Sequence, residues 1–147
     1  MMDFLADTWF VPFLVILTVL VFVHELGHYL AARYCKVRVE VFSVGFGREL
    51  FGRTDRHGTR WKFSLFPIGG YVKMFGEMQV VQGQESPESR MSEADAAVAF
   101  NTKSQAQRAF IVFAGPLANF LFAIVILTGM FMTVGQPTTP ADVGDVV

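Results

Sequence analysis

The chain has 147 residues, and 52% of them are hydrophobic, a fraction that is high for a soluble domain. The formal charge is only −1, yet all 12 lysine and arginine residues fall between Arg33 and Arg108. The single cysteine, Cys35, excludes an intrachain disulfide and with it a disulfide-stapled secreted domain. These features predict a membrane protein that is basic in its middle, with no nucleic acid among its partners.

The first apolar segment, Trp9 to Val23, carries no charge, and apolar residues resume at Tyr29 to Ala32. Together they provide roughly the 20 residues that a helix needs to cross a bilayer. Pro12 is tolerated only in a first helical turn, so we expect the helix to begin between Thr8 and Pro12. A cleaved signal peptide is the alternative, but the preceding residues are acidic where such a peptide is basic.

The middle of the chain predicts a small β-structure. Val37 to Val44 and Thr59 to Phe66 are rich in β-branched and aromatic residues with partial alternation, which is typical of strands. Pro67 to Gly70 form a turn signal, and Tyr71 to Phe75 are expected to be the return strand. The polar stretch from Gln79 to Arg90 predicts a loop.

A short amphipathic helix is predicted over Ser92 to Phe100, followed by a second apolar segment from Ala109 to Val134 without any charge. Thr102 and Gln105 have the spacing of a capping box, which predicts that the second helix begins in water before it enters the membrane near Arg108. Pro116 inside this helix is expected to kink it.

The charge pattern predicts the orientation. Basic residues next to both apolar segments retain the intervening loop, residues 34–108, on the cytoplasmic side of the inner membrane, and both termini then face outward. The predicted regions are a first transmembrane helix (1–33), a β-rich membrane-associated region (34–78), a polar cytoplasmic loop (79–101), a second transmembrane helix (102–135) and a linker (136–147).

Residues 24 to 28 read HELGH, the H-E-x-x-H pattern of zinc proteases. His24 and His28 are four residues apart, so on a helix both imidazoles lie on one face and reach one ion. Glu25 is then placed to act as a general base without being a ligand. Such a pattern arises by chance in soluble proteins, but ionisable groups in a membrane helix are costly and usually functional, which favours the metal site.

Four motifs occur in order along the chain: HELGH, GFG at Gly45 to Gly47, PIGGYVKM at Pro67 to Met74, and AGPLANF at Ala114 to Phe120. With these motifs the chain resembles the site-2 protease family of intramembrane zinc metalloproteases, and within it the bacterial regulator-of-sigma-E branch. The resemblance implies a membrane α-helical fold with a small β insertion: two transmembrane helices flanking a β-hairpin or sheet that re-enters the membrane.

The resemblance also implies roles for individual residues. His24 and His28 would be ligands of Zn²⁺ and Glu25 the catalytic base. The PIGGYVKM segment would hold an unwound substrate strand by β-addition at Gly69, Gly70, Tyr71, Val72 and Lys73. Gly115, Pro116 and Asn119 would lie near the active site, with the alternative that the glycine and proline only allow close helix packing and a kink.

Catalytic zinc normally has three protein ligands, and the sequence offers two. The family takes its third ligand from an aspartate in a later membrane helix, and Asp142 and Asp145 are poor substitutes because they follow the second apolar segment. We therefore expect this chain to be an amino-terminal portion whose tail leads to a PDZ domain and the remaining helices. The leading function is a zinc endopeptidase that cuts transmembrane proteins such as an anti-sigma factor; the alternative is a non-catalytic membrane module that binds or regulates a partner protein.

Overall fold

The structure, a computed structural model, describes residues 10–77 and 92–135. It contains, in chain order, helix α1 (Phe10–Tyr34), strand β1 (Val39–Thr54), strand β2 (Arg60–Met74), the short helix α2 (Glu93–Ala96) and helix α3 (Gln105–Val134). The cap expected at Thr8, the loop expected over residues 79–90 and the linker expected over residues 136–147 lie outside the described residues.

Helices α1 and α3 are both long and apolar enough to cross a membrane. Their 25 and 30 residues correspond to about 37 and 45 Å of helix. Large apolar side chains on their outer faces are exposed, for example Leu30, Phe120 and Met132, which are 58%, 70% and 82% accessible. Exposed apolar surface of this extent marks contact with a membrane or with other protein segments, which agrees with a membrane protein.

Helix α1 ends in a Schellman motif that directs the chain into the sheet. Lys36 has a left-handed backbone (φ 58°), its N–H donates to Arg33 O at 3.0 Å, and the N–H of Val37 donates to Ala32 O at 2.8 Å. Val37 and Ala32 are both buried in the same apolar cluster, as is usual for the residues that flank this motif.

Helix α3 begins two residues later than the sequence predicts. The capping box is formed by Ser104 and Gln107, which bond each other's backbone N–H groups. Thr102 does not cap the helix, because its hydroxyl instead donates to the carbonyls of Ala96 and Ala99 and closes the preceding turn. The helix then continues through Pro116, whose missing N–H leaves the carbonyl four residues earlier without its helical partner.

Helix α2 is shorter than the helix predicted over Ser92 to Phe100. Ser92 caps it, and only Glu93–Ala96 are helical. The residues that follow pair with the sheet instead: Arg38 N–H donates to Val98 O, and Phe100 N–H donates to Phe75 O, at 2.9 and 2.8 Å. Backbone groups bonded to a neighbouring strand are no longer available to a helix.

Strands β1 and β2 form one antiparallel sheet. Because both strands bend, the sheet consists of four short segments that lie side by side. Next to the turn, residues 49–54 pair with 60–64. Farther on, residues 39–44 pair with 70–74 on one side and with 60–63 on the other. In the last of these pairings the residue numbers rise together, from Val41↔Arg60 to Val44↔Phe63, so the two segments run locally parallel. The spatial order is 49–54, 60–64, 41–44 and 70–74.

Two sequence expectations about this sheet are wrong. β1 does not end at Val44 but continues to Thr54, and Pro67 to Gly70 do not form a turn but lie within β2. Residues 67–69 oppose the single residue Gly45, between the pairs Phe46↔Phe66 and Val44↔Gly70. The result is a bulge, produced by Pro67 and by two glycines with positive φ, Gly45 at 90° and Gly69 at 106°. The bulge bends the strand instead of ending it.

An aromatic cluster fastens α1 to the sheet. Phe42 stacks on Trp61 with ring centroids 4.3 Å apart, and Tyr29 of α1 meets both rings edge-on. The Asp55 carboxylate accepts hydrogen bonds from Trp61 Nε1 at 3.0 Å and from the Tyr29 hydroxyl at 3.4 Å. The β1–β2 turn is thereby tied to Tyr29, the residue of α1 that follows His28, and His57 lies exposed in this turn.

Candidate metal centre

His24 and His28 lie on the face of α1 that packs against α3, and their Nε2 atoms are 3.2 Å apart. The rings are nearly perpendicular, with an interplanar angle of 79°. Two nitrogen ligands of one tetrahedral zinc ion, each bound at about 2.0–2.1 Å, are separated by about 3.3 Å. The observed spacing therefore fits two ligands of a single zinc ion.

A backbone carbonyl of α3 fixes the protonation of His28. Ile111 O lies 2.8 Å from His28 Nδ1 and can only accept a hydrogen bond, so Nδ1 carries the proton. The lone pair is then on Nε2, the nitrogen that faces His24. Metal-binding histidines are commonly oriented in this way by a carbonyl or carboxylate behind the ring.

Asn119 takes the equivalent position behind His24. Its side-chain amide lies 3.3 Å from His24 Nδ1, and its Oδ1 atom is buried with no hydrogen-bond partner among the described residues. When His24 binds a metal through Nε2, its Nδ1 carries a proton and needs an acceptor. Rotation of the amide brings Oδ1 to that proton, which satisfies both groups and further supports a metal at this position.

Two glycines bring the helices close enough to form this centre. A Cβ atom on Gly115 would collide with His28 Nε2 and would lie 2.8 Å from His24 Nε2, so α3 leaves open the space in front of both ligand atoms. A Cβ on Gly27 would collide with Ala114 O and would lie 2.7 Å from the Cβ of Ala118. Small residues on both sides are what close helix approach in a membrane requires.

Glu25 is half-buried and lies between two cavities that both reach Gly70 of β2. The His24 cavity, of about 330 Å³, also includes Asn119 and Gly69. The His28 cavity, of about 230 Å³, includes Tyr71 and Val72. A Cβ on Gly70 would lie 3.1 Å from Cγ of Glu25, so the strand passes directly beside the glutamate. A molecule held along this strand would face both Glu25 and the two imidazoles.

Not every residue named from the sequence lies at this centre. Lys73 is exposed and pairs with Glu40 at 2.9 Å, away from both cavities. Pro116 is exposed on α3 and lines neither cavity, although its neighbour Gly115 faces the histidines. In the described ranges, 10–77 and 92–135, no group of three or more His, Cys, Asp or Glu side chains could hold a metal. This part of the chain therefore offers two metal ligands, and Asp142 and Asp145 lie outside it.

Several contributors were not predicted. The carbonyl of Ile111 and the small residues Ala114 and Ala118 have no side-chain chemistry that distinguishes them in a sequence. Glu77 lines the His28 cavity together with Glu25, and its Oε2 accepts the Met74 N–H at 3.2 Å. Glu77 follows the strand that continues past the bulge at residues 67–69, where the sequence predicts a turn.

A histidine pair and a glutamate on one apolar helix, closed by glycines of a second apolar helix, have the arrangement of a metallopeptidase-type centre. Comparison with known proteins identifies the family: the model of peptidase family M50 matches residues 12–145. The chain belongs to peptidase family M50.

The names of similar proteins support this assignment. A protein of Mesorhizobium japonicum provisionally named a zinc metalloprotease is 49% identical over 128 residues, which are 86% of this chain and 35% of that protein. One of Brucella suis with the same type of name is 50% identical over 127 residues, 86% of this chain and 34% of the relative. The protease RseP of Yersinia pestis is 48% identical over 135 residues, 91% of this chain and 28% of its own length. The chain spans about a third of the length of these relatives.

Proposed function

We propose that this chain carries the catalytic histidines and glutamate of a zinc endopeptidase that hydrolyses peptide bonds in transmembrane segments of other proteins. The observation that carries the proposal is the pair of Nε2 atoms 3.2 Å apart, beside a glutamate that opens onto an adjacent strand. The names of the relatives, zinc metalloprotease and protease, support the same chemistry.

Each residue has a defined part in this proposal. His24 and His28 hold Zn²⁺ through Nε2, with Ile111 O and Asn119 fixing the orientation of the rings. When bound, zinc activates water and polarises the scissile carbonyl. Glu25 takes the proton from the attacking water and delivers it to the leaving nitrogen. The third protein ligand is proposed to come from outside the described residues, as the family resemblance implies.

The substrate is proposed to bind as an extended strand along residues 70–74 of β2. This segment pairs with β1 on one side, and no strand pairs with its other side among the residues that the structure describes. A membrane-spanning helix must unwind before its peptide bonds can be cut, and an added strand recovers its backbone hydrogen bonds. Gly69, Gly70, Tyr71 and Val72 provide the docking edge, whereas the side chain of Lys73 points to Glu40.

The charge pattern supports the proposed topology: residues 34–108 on the cytoplasmic side of the inner membrane and both termini outside. Away from the β1–β2 turn, which is charged, the sheet exposes five large apolar residues and one cation, Arg48: the apolar residues are Phe46, Leu50, Phe51, Phe66 and Ile68. Such a sheet enters lipid with its apolar end, which supports the re-entrant arrangement. The proposed partners are a transmembrane substrate such as an anti-sigma factor, the surrounding lipid, and a PDZ domain and further helices of the same protease.

Substitution of the glutamate tests the proposal. The purified membrane protein and its Glu25→Gln variant would be compared for zinc content and for cleavage of a membrane-embedded model substrate, with His24→Ala as a second variant. We expect Glu25→Gln to retain zinc and lose cleavage, and His24→Ala to lose both. Equal behaviour of all three proteins without bound zinc would instead support the non-catalytic membrane module, which the presence of only two ligands in the described residues favours.

A further inference from the structure

Glu77 lies just past the end of β2, in the same cavity as Glu25 and His28. Its Oε2 atom accepts the N–H of Met74, three residues earlier in the chain, at 3.2 Å. Among the described residues, neither lysine nor arginine lines this cavity, so the carboxylate meets a backbone N–H there and not a cation. Met74 is the last residue of β2, and the contact therefore closes one end of this strand.

The Met74 N–H points to the open edge of β2, the side on which the substrate is proposed to bind. The next N–H along the chain, that of Phe75, donates to Arg38 O on the β1 side at 2.9 Å. Consecutive N–H groups of a strand point to opposite sides, so the Met74 N–H points away from β1. By the same alternation, the backbone groups of Gly70 and Val72 also point to the open edge. Within the described residues, a side chain accepts the N–H of Met74 at this edge.

The tight turn after β2 holds Glu77 in this position. Gly76 has a positive φ of 82°, which lets the chain fold back on the strand. A Cβ on Gly76 would lie 3.0 Å from the Cβ of Ala99, so the turn is packed against the segment that precedes α3. A carboxylate accepts a stronger hydrogen bond from a backbone N–H than a neutral carbonyl does. The carbonyl of a substrate strand therefore competes poorly with Glu77 for the Met74 N–H.

We propose that Glu77 is a positioning residue that ends the substrate edge at Val72. An added strand then bonds to the outward backbone groups of Gly70 and Val72 but not to Met74. Gly70 lies beside Glu25, since a Cβ there would be 3.1 Å from Cγ of the glutamate. Pairing limited to these two positions fixes which peptide bond of the substrate faces the catalytic centre. This inference rests on the proposed function, because it requires substrate binding along β2.

Disulfide cross-linking to a substrate tests the end of the edge without requiring catalysis. The full-length protein, made inactive by Glu25→Gln and free of other cysteines through changes that include Cys35→Ala, would carry Tyr71→Cys or Lys73→Cys. Each form would be oxidised with a set of membrane substrates that contain one cysteine each. The backbone groups of residues 71 and 73 point to β1, so an added strand opposes them in non-hydrogen-bonded pairs. The Cα atoms of such pairs are about 4.5 Å apart, within the reach of a disulfide.

We expect the cysteine at position 71 to cross-link in every variant, and the cysteine at position 73 to cross-link weakly while Glu77 is present. Glu77→Ala frees the Met74 N–H for the substrate and should raise the yield at position 73 about tenfold. Glu77→Gln keeps an acceptor and should leave this yield low. The matched control is Glu93→Ala, which removes an exposed carboxylate of α2 that lines neither cavity and should also leave the yield low.

Equal yields at position 73 with Glu77 and with alanine, while position 71 still cross-links, would overturn the inference and leave the proposed function in place. Absence of cross-linking at position 71 in every variant would overturn the substrate edge and the inference together. Its loss only in Glu77→Ala would show that Glu77 supports the sheet and does not end the edge.

Cleavage-site mapping gives a second readout in the active full-length protein. Glu77→Ala should add a cleavage site two residues from the original one, because a strand that keeps the same face toward the protein shifts in steps of two residues. Glu77→Gln should cut at the original site alone. Mass spectrometry of the products measures both. A single unshifted site in the alanine variant would contradict the inference.

Discussion

The helix pair and the sheet approach the candidate metal centre in different ways. Between α1 and α3, backbone and small residues are in direct contact, and a single methyl group on Gly27 or Gly115 has no room. Between α1 and the sheet, large aromatic rings bridge a gap that still contains a cavity of about 520 Å³. The helix pair therefore fixes the metal ligands rigidly, whereas the sheet, which presents the proposed substrate edge, is held more loosely. The contrast is tested by substitutions that affect zinc binding and substrate cleavage to different extents.

The largest effect is expected from Gly115→Ala. The new methyl group would occupy the space in front of Nε2 of both histidines, where the metal is proposed to bind. We expect at least a hundredfold loss of zinc affinity, measured by equilibrium dialysis against buffered zinc and elemental analysis. Gly129→Ala in the same helix is the matched control, because a Cβ there meets nothing within 4 Å. Stoichiometric zinc in the Gly115 variant would show that the metal does not lie between these helices.

Gly70→Ala tests the sheet side of the same centre. A Cβ there would lie 2.6 Å from the backbone oxygen of Ser43 in β1 and 3.1 Å from Cγ of Glu25 in α1, so residue 70 must shift against both neighbours. We expect zinc to be retained and cleavage of a membrane substrate to fall by about 10²-fold, since a displacement of about 1 Å can cost that much.

The control for this variant is Gly58→Asn, in the turn of the same sheet. Asparagine tolerates the positive φ of 83°, and a Cβ at position 58 meets no other atom within 4 Å. Loss of zinc in the Gly70 variant would contradict the view that the helix pair alone fixes the ligands.

Asn119→Leu is expected to weaken zinc binding by about 10- to 100-fold, because His24 Nδ1 then has no acceptor behind it. Asn119→Asp keeps an oxygen at this position and should retain affinity near that of the wild type. Zinc titration of the three proteins provides the measurement. Equal affinities for the leucine and aspartate variants would show that Asn119 acts only in packing.

The same difference between the regions explains how much the sequence could predict. The histidine and glutamate positions follow from a helical spacing of four residues, and both long helices follow from uninterrupted apolar runs. These are local patterns, and the family assignment is confirmed by the match over residues 12–145. The close approach of Gly27 to Ala114 and Ala118 depends on which faces of the two helices meet. The sequence of a helix that is apolar on all sides does not show which face packs against its neighbour.

The sheet was predicted less well because its pairing is long-range. Pro67 and Gly69 have the composition of a turn, and only their position opposite Gly45 makes them a bulge. The register in which residues 41–44 pair on both sides cannot be read from alternation, since both faces of these residues are buried or half-buried. The Thr102 cap was wrong for a similar reason: the carbonyls that its hydroxyl binds belong to a preceding turn.

The smallest effect is expected from acidification at the turn that ties the sheet to α1. Partial burial raises the pKa of Asp55, but hydrogen bonds from Trp61 Nε1 and from the backbone N–H groups of Thr59 and His57 outweigh it and hold the pKa below its usual range. Because the pKa is lower in the folded protein, the ionised Asp55 carboxylate stabilises the turn fully at pH values above its unfolded-state pKa of about 3.9. This stabilisation is lost as the pH falls through the lower folded-state pKa. We expect a loss of about 1 kcal/mol or less, because the carboxylate is partly solvated.

Trp61 fluorescence in a Trp9→Phe background reports on this turn, since the chain has two tryptophans. The signal should change as the pH falls below about 4, and the change should be absent in Asp55→Asn, which cannot titrate. Zinc content measured at neutral pH should be the same in both proteins, because the helix pair does not depend on the turn. If Asp55→Asn reduced zinc binding at neutral pH, the sheet would take part in fixing the ligands, and the distinction between the two regions would fail.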